Sequence, residues 1–170
     1  LRVGFLILLD FLKKKFPNKN EIIFQPFNLP EMINIADKMS YKVKFLKLNT
    51  VNAQPDFQFL KKIINKKTLA IVSTNIFHSY ETLLAIKKLC KQKKIILIED
   101  NAIYFDNYHI EKNKKIYSGS FGNYSLYSFN IMKNISALFG GGVATNDIHF
   151  KTFANKKISK YKDFESFVYI

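Results

Sequence analysis

Residues 95–100 read Ile-Ile-Leu-Ile-Glu-Asp, and this stretch decides the fold. Four consecutive apolar residues are typical of a strand that is buried on both faces, as the strands of a parallel sheet are. Open parallel sheets bind their ligands at the carboxyl ends of the strands. The stretch therefore predicts a central strand, and its last two residues, Glu99 and Asp100, are the first place to look for chemistry.

Short apolar strands alternate with amphipathic helices on the amino-terminal side of this stretch. We predict strands at residues 21–25, 41–48 and 68–74, and helices at residues 3–15, 31–39, 57–65 and 80–92. Asp56 precedes the third helix as its N-cap, and we expect Val43, Phe45 and Leu46 to face inward. Strands separated by helices of this length predict an α/β domain with a mainly parallel sheet and flanking helices. After Asp147 the sequence shows no clear closing structure.

The composition is that of one globular domain with a strongly basic surface. The 170 residues are 48% hydrophobic, and 27 basic residues against 13 acidic residues give a formal net charge of +14. Arg2 is the single arginine, whereas proteins that read nucleic acids use arginine forks for bases and phosphates. Because the lysines are scattered along the chain, we favour a solvated surface over a patch that binds nucleic acid.

Cysteine, histidine and hydropathy patterns argue against disulfide, metal and membrane chemistry. Cys90 is alone, and the three histidines are far apart, without the spacing of metal ligands. The apolar run at residues 5–9 is too short to span a bilayer and ends at Asp10. We therefore predict a cytoplasmic protein with no bound metal and no membrane partner.

Two groups of polar residues near predicted strand ends are candidates for a functional site. Alternation along the strand sends Glu99 and Asp100 to opposite faces, so they are not an obvious acid–base pair, and Asp100 has an alternative interpretation as the cap of the next turn. Further along, Ser128 ends an apolar strand pattern, and Lys133 follows in a tight turn before the glycines at 140–142. Neither a Gly-x-Gly-x-x-Gly fingerprint nor a Walker-type phosphate loop is present in the sequence.

Several short motifs follow one another at suitable spacing. In chain order they are Ile98-Glu99-Asp100-Asn101-Ala102, Gly119-Ser120, Ser128-Phe129 with Lys133-Asn134, Gly141-Gly142 and Thr145-Asn146-Asp147. Together they resemble the DegT/DnrJ/StrS family of nucleotide-sugar aminotransferases, which depend on pyridoxal 5'-phosphate (PLP), over residues 21–147. The resemblance implies the large domain of the aspartate-aminotransferase architecture (PLP fold type I), incomplete, over residues 1–170, with the carboxy-terminal small domain absent.

The resemblance also implies roles for individual residues. Lys133 would bind PLP covalently through its amine and then act as the general base. Asp100 would pair with the pyridine nitrogen of the cofactor, and Ser128 would hydrogen-bond its phosphate. Asn75 occupies a position close to the ring in this family, and its alternative interpretation is that of a turn residue at the end of a strand.

The sequence departs from the family pattern at several positions. Residues 1–4 match the family's phosphate-binding loop poorly, because no hydroxyl donor stands where one is expected. His78 and Ile103 replace a common glycine and a common glutamine. The aromatic position that usually covers the ring falls on Phe27 or on Asn28, and we expect Phe27 to be a core residue.

These observations lead to three hypotheses. The first is an enzyme of polysaccharide biosynthesis, acting as a homodimer, that uses PLP to move an amino group from an amino acid, typically glutamate, to a nucleotide-linked keto-sugar. The second is a non-catalytic or degenerate fragment of such an enzyme. The third is a basic domain that binds nucleic acid, and the near absence of arginine weighs against it. We take the first hypothesis as the prediction.

Overall fold

The computed structural model describes residues 1–75, 80–103, 108–111 and 113–161, and it confirms the α/β class. The helices of these segments are α1 (Arg2–Lys15), α2 (Pro30–Lys38), α3 (Phe57–Ile63), α4 (Tyr80–Lys93) and α5 (Ile148–Ile158). The strands are β1 (Glu21–Phe24), β2 (Lys42–Phe45), β3 (Thr68–Thr74), β4 (Ile96–Asp100), β5 (Tyr108–Glu111), β6 (Lys114–Tyr117), β7 (Tyr124–Ser128) and β8 (Gly141–Ala144).

Six of these strands form one sheet in the order β2-β1-β3-β4-β7-β8. The first five run parallel to one another, and β8 pairs antiparallel with β7. Strands β5 and β6 form a separate antiparallel hairpin. The apolar run that ends in Asp100 is therefore β4, near the middle of the sheet, as the sequence predicts.

The sheet separates two hydrophobic clusters, and the alternation along each strand decides which side chains each cluster receives. Val72 of β3 and Ile98 of β4 face the cluster that contains residues of α1, α2 and α5. Ile71 and Leu97 face the cluster that contains residues of α3 and α4. We call these two sides the α1 face and the α4 face. Continued to the strand ends, the alternation places Thr74, Asp100 and Ser128 on the α1 face, and Asn75, Glu99 and Asn101 on the α4 face.

The predicted helices and strands up to residue 100 are confirmed, and their ends differ by at most three residues. Asp56 caps α3 by accepting a hydrogen bond from the backbone N–H of Phe59 at 2.9 Å. Leu46 is buried as expected, but the inward orientation predicted for Phe45 is wrong, because this side chain is 45% exposed. Phe45 is the last residue of a strand at the edge of the sheet. At such an edge the alternation of side chains does not tell whether another element packs over them.

The segment after Asp147 contains a structure that the sequence analysis missed. Helix α5 packs against α1 through Phe150, whose ring lies 5.5 Å from that of Phe11 and 5.4 Å from that of Tyr124. Phe150 is the one fully buried residue of α5, so the helix lacks the broad apolar stripe that reveals most packed helices.

Asp147 joins the three elements that meet at this corner of the domain. One carboxylate oxygen caps α5 by accepting from the backbone N–H groups of His149 and Phe150, and the other accepts from Lys15 Nζ at 2.8 Å and from the Tyr124 hydroxyl at 2.7 Å. Burial is the largest single effect and raises the pKa of Asp147. The hydrogen bonds from Lys15, Tyr124 and Phe150 together outweigh it and lower the pKa to about 2.

Replacement of Asp147 tests this junction. We expect Asp147→Ala to lower the free energy of unfolding by roughly 0.5–2 kcal/mol, the usual effect of losing an N-cap, and Asp147→Asn to lower it less, because asparagine keeps a capping oxygen. A carboxylate with a lowered pKa stabilises the fold fully above about pH 4, and this contribution is lost as the pH falls toward 2. Urea unfolding should therefore show the difference between wild type and Asp147→Asn shrinking over that range. Identical stabilities of all three proteins at neutral pH would contradict this role.

Candidate functional site

Asp100 lies at the carboxyl end of β4 and is buried, with 2% of its surface exposed. Burial raises the pKa of this carboxyl group, while a hydrogen bond from the backbone N–H of Ala102 and the positive charge of Lys133 act in the opposite direction. The bond to Ala102, 3.0 Å long, is the turn cap that the sequence allowed as an alternative. Asp100 therefore caps the turn and also carries an acidic group that feels the charge of Lys133.

Ser128 and Lys133 reach the same region from β7 and from the turn that follows it. Ser128 is the last residue of β7, is 8% exposed and points to the α1 face, as Asp100 does. The turn is closed by a hydrogen bond from the backbone N–H of Ala137 to the carbonyl of Phe129, and Lys133 lies within it. Ser128, Lys133 and Ala102 line one open cleft with a volume of about 1050 Å³.

The start of α1 forms another wall of this cleft. Leu1 and Gly4 line it together with Gly141 of β8. A Cβ atom on Gly141 would lie 2.3 Å from the backbone nitrogen of Leu1, so glycine is required for β8 to approach the helix this closely. The first N–H groups of a helix have no partners within the helix, and together with the helix dipole they favour a bound anion. The cleft thus combines a helix amino terminus with the Ser128 hydroxyl.

Asn75 lies beside Asp100 along the backbone, but its side chain lies elsewhere. Its backbone N–H donates to the Asp100 carbonyl at 2.9 Å. Its carboxamide points to the α4 face, donates through Nδ2 to Oδ1 of Asn101, and lines a smaller cavity of about 240 Å³ next to Phe121. The structure therefore places Ser128 and Lys133 at one cleft and the buried Asp100 within reach of the Lys133 charge, and it does not bring the Asn75 side chain into that cleft.

The segment expected to cover the ring differs from the prediction. Phe27 is 55% exposed, so its expected place in the core is wrong. Leu29 of the same loop lines the cleft, and Asn28 is held by a hydrogen bond from its Nδ2 to Thr74 Oγ1 at 2.8 Å. His78 lies outside the described residues.

Glu99 has a positioning role that the sequence analysis did not assign. Its carboxylate is fully buried on the α4 face and accepts hydrogen bonds from the backbone N–H groups of Gly119, Phe121 and Gly122. Gly119 has a φ of +87°, and a Cβ atom there would overlap the Tyr127 hydroxyl. The Gly119-Ser120 motif therefore marks the loop that Glu99 holds, just before β7 leads to Ser128. The order of the sequence motifs was the available signal for this loop, but it does not indicate that Glu99 is the residue that holds it.

A comparison with known families favours the two aminotransferase hypotheses over a domain that binds nucleic acid. The profile described as "DegT/DnrJ/EryC1/StrS aminotransferase family" matches residues 3–161. The chain belongs to this family. The relatives include aminotransferases of nucleotide sugars and a PLP-dependent sugar dehydratase.

Individual relatives agree with this assignment. The UDP-4-amino-4,6-dideoxy-N-acetyl-beta-L-altrosamine transaminase of Helicobacter pylori is 30% identical over 130 residues, which are 76% of this chain and 33% of the relative. The solved structure of Helicobacter pylori PseC, an aminotransferase involved in the biosynthesis of pseudoaminic acid, superposes with a TM-score of 0.74 at 27% identity and covers 95% of this chain and 44% of that one.

The fold type is that of PLP enzymes. The E. coli GDP-4-keto-6-deoxy-D-mannose-3-dehydratase, solved with bound hydrated PLP, has the same fold, with a TM-score of 0.72 at 22% identity, over 88% of this chain and 38% of that one. The chain thus spans between a third and a half of the length of these relatives.

The residues of the cleft fit the family's cofactor. PLP presents a phosphate, an aldehyde and a pyridine nitrogen. The cleft offers the Ser128 hydroxyl and the start of α1 for an anion and the Lys133 amine for an aldehyde, and the buried Asp100, which feels the charge of Lys133, is the acidic group available for a ring nitrogen. Within the described segments, no group of histidine, cysteine and acidic residues could hold a metal ion, and no helix has the length and apolar character needed to cross a bilayer.

Replacement of Glu99 tests how the loop before β7 is held. Glu99→Gln turns one acceptor oxygen into an NH₂ group that faces backbone N–H donors. We therefore expect the free energy of unfolding to fall by about 1–3 kcal/mol. The control is Glu31→Gln on the exposed face of α2, for which we expect a change within about 0.5 kcal/mol. Equal urea midpoints for the Glu99 and Glu31 variants would show that the buried carboxylate does not hold the loop.

Proposed function

We propose that this chain forms the PLP-binding large domain of an enzyme that transfers an amino group from an amino acid, glutamate, to a nucleotide-linked keto-sugar. The observation that carries the proposal is that Ser128 and Lys133 line one cleft, while Asp100 is buried two residues before Ala102, which lines the same cleft, and feels the charge of Lys133. Membership in a family of sugar aminotransferases supports the reaction type. The cytoplasmic location and the part in polysaccharide biosynthesis that the sequence predicts belong to the same proposal.

Each polar group of the cleft has a distinct task in this reaction. PLP, when bound, supplies the electron sink that amino transfer requires. Asp100 holds a proton at the ring nitrogen. Ser128 and the first N–H groups of α1 bind the phosphate, and a charge-assisted hydrogen bond of this kind contributes about 1.5–3 kcal/mol. The Nζ atom of Lys133 would hold the aldehyde carbon of the cofactor, and the same amine would move the proton of the amino donor.

For Asn75 we propose a supporting role in place of direct contact with the cofactor. The sequence resemblance implies a contact with the cofactor, but the carboxamide is bound to Asn101 on the α4 face. The backbone N–H of Asn75 supports the Asp100 carbonyl, and this is the contribution to the site that the described contacts favour.

The substrate class comes from the relatives. The Helicobacter pylori transaminase carries a UDP-linked amino sugar in its name. A nucleotide-linked sugar is anionic, and the formal net charge of +14 would favour its approach through long-range attraction. We therefore propose a nucleotide-linked keto-sugar as the amino acceptor.

The turn that carries Lys133 supports a homodimer as the working form. Its apolar side chains are exposed to solvent: Ile131 at 65%, Met132 at 90%, Ile135 at 57%, Leu138 at 62% and Phe139 at 82%. Soluble proteins rarely leave such a contiguous apolar segment uncovered. A second copy that covers this turn would also exclude water from the Lys133 amine, as the proposed reaction requires.

A single-turnover assay tests the proposed function. The chain is loaded with PLP and mixed with L-glutamate, and the formation of 2-oxoglutarate is measured. We expect Lys133→Ala to lower the rate by at least about 10²-fold, because the group that moves the proton is lost. Lys151 lines the same cleft, and Lys151→Ala is the matched control that should keep the wild-type rate. Equal rates for the wild type and Lys133→Ala, or no 2-oxoglutarate from the wild type, would contradict the proposal.

A further inference from the structure

The carboxamide of Asn28 is satisfied on one side and not on the other. Its Nδ2 donates to Thr74 Oγ1 at 2.8 Å. Its Oδ1 is buried and has no hydrogen-bond partner among the described residues. Buried polar groups in native proteins nearly always have a partner, so an orphaned acceptor points to a missing donor.

The position of Asn28 limits where this donor comes from. Thr74 is the register partner of Asp100 on the neighbouring parallel strand, and both side chains point to the α1 face. Asn28, Thr74 and Asp100 therefore follow one another across the carboxyl edge of the sheet. The next residue after Asn28, Leu29, lines the cleft that Ser128 and Lys133 share.

The other orphaned buried side-chain atom of the described residues does not belong to this row. It is Nδ2 of Asn101, whose amide lies on the α4 face and accepts from Asn75. Its position close to Gly119 separates it from the cleft. Among the described residues, the unpaired buried acceptor on the α1 face at the carboxyl edge of the sheet therefore belongs to Asn28.

We propose that Asn28 is a ligand-binding residue whose Oδ1 accepts a hydrogen bond from an N–H or O–H group of a molecule bound over Asp100. This inference rests on the proposed function, because it requires a ligand in the cleft. Two molecules of that reaction carry such donors, namely PLP and the sugar of the nucleotide-linked substrate. Thr74 has a positioning part, since its hydroxyl holds the other side of the amide.

Thermal unfolding of the 170-residue chain separates a ligand-binding role from a structural one. We compare wild type, Asn28→Ala and Asn28→Asp, with Asn34→Ala on the exposed side of α2 as the matched control. Each protein is measured alone, with PLP, and with PLP plus UDP-glucose. Without ligand, Asn28→Ala should be as stable as wild type or more stable, because the substitution removes an unsatisfied buried acceptor along with one hydrogen bond.

The ligand arms identify the source of the donor. We expect Asn28→Ala to weaken binding roughly tenfold. The loss should appear with PLP alone if the cofactor supplies the donor, and only after UDP-glucose is added if the sugar supplies it. Asn28→Asp keeps an acceptor oxygen and should retain more of the ligand-induced rise in Tm than Asn28→Ala. Asn34→Ala should behave as wild type in every arm.

Two results overturn the inference, and they are distinguishable from failure of the proposed function. If Asn28→Ala lowers the Tm without ligand and leaves both ligand-induced rises unchanged, the side chain is structural and a bound water satisfies its Oδ1. If all four proteins respond equally in every arm, Asn28 makes no contact with either ligand. A wild-type chain whose Tm does not respond to PLP would reject the proposed function itself, and the inference with it.

Discussion

The burial of β4 on both faces is the constraint on which the rest of the structure depends. Because Ile98 and Leu97 are committed to opposite hydrophobic clusters, the two carboxylates that follow must also point to opposite faces. Asp100 is therefore buried on the α1 face, where it feels the charge of Lys133, while Glu99 is turned to the α4 face, where it holds the loop before β7. One alternating strand thus supplies a group for the site and a group for its support. The parallel neighbours of β4 then bring further side chains to the same edge.

Much of the fold could be predicted because its central strands have a strong apolar sequence pattern. The apolar run of β4 and the β-rich segment of β3 are buried on both faces, so their sequence pattern is strong and their ends were predicted closely. Helix α5 was missed because its apolar face is narrow: Phe150 is buried, whereas Phe153 and Ala154 are only partly buried against the same cluster. Its N-cap Asp147 is held by Lys15, a contact at long sequence separation. Phe45 was misjudged because a period of two does not reveal which strand lies at an edge.

Short sequence motifs made part of the candidate site predictable. Asp100, Ser128 and Lys133 were named from their order and spacing. Ser128 and Lys133 line one cleft, and Asp100 is buried close enough to Lys133 to feel its charge. The direction of a side chain just beyond a strand end is a different matter, because it depends on which neighbour offers a hydrogen bond. Asn75 turns to Asn101 for this reason. In the loop before α2, Leu29 and not Phe27 lines the cleft. Such choices are made by tertiary contacts that no local pattern contains.

The proposed site requires the Lys133 amine to be the group that holds the cofactor. The most direct measurement is reduction of the PLP-treated chain with borohydride, followed by digestion and mass spectrometry of the modified peptides. We expect wild type to carry the reduced cofactor on Lys133, ahead of the other lysines. Asp100→Asn should diminish this labelling, and Asn34→Ala should leave it unchanged. Labelling spread over surface lysines, or directed to Lys151 in the same cleft, would contradict the account.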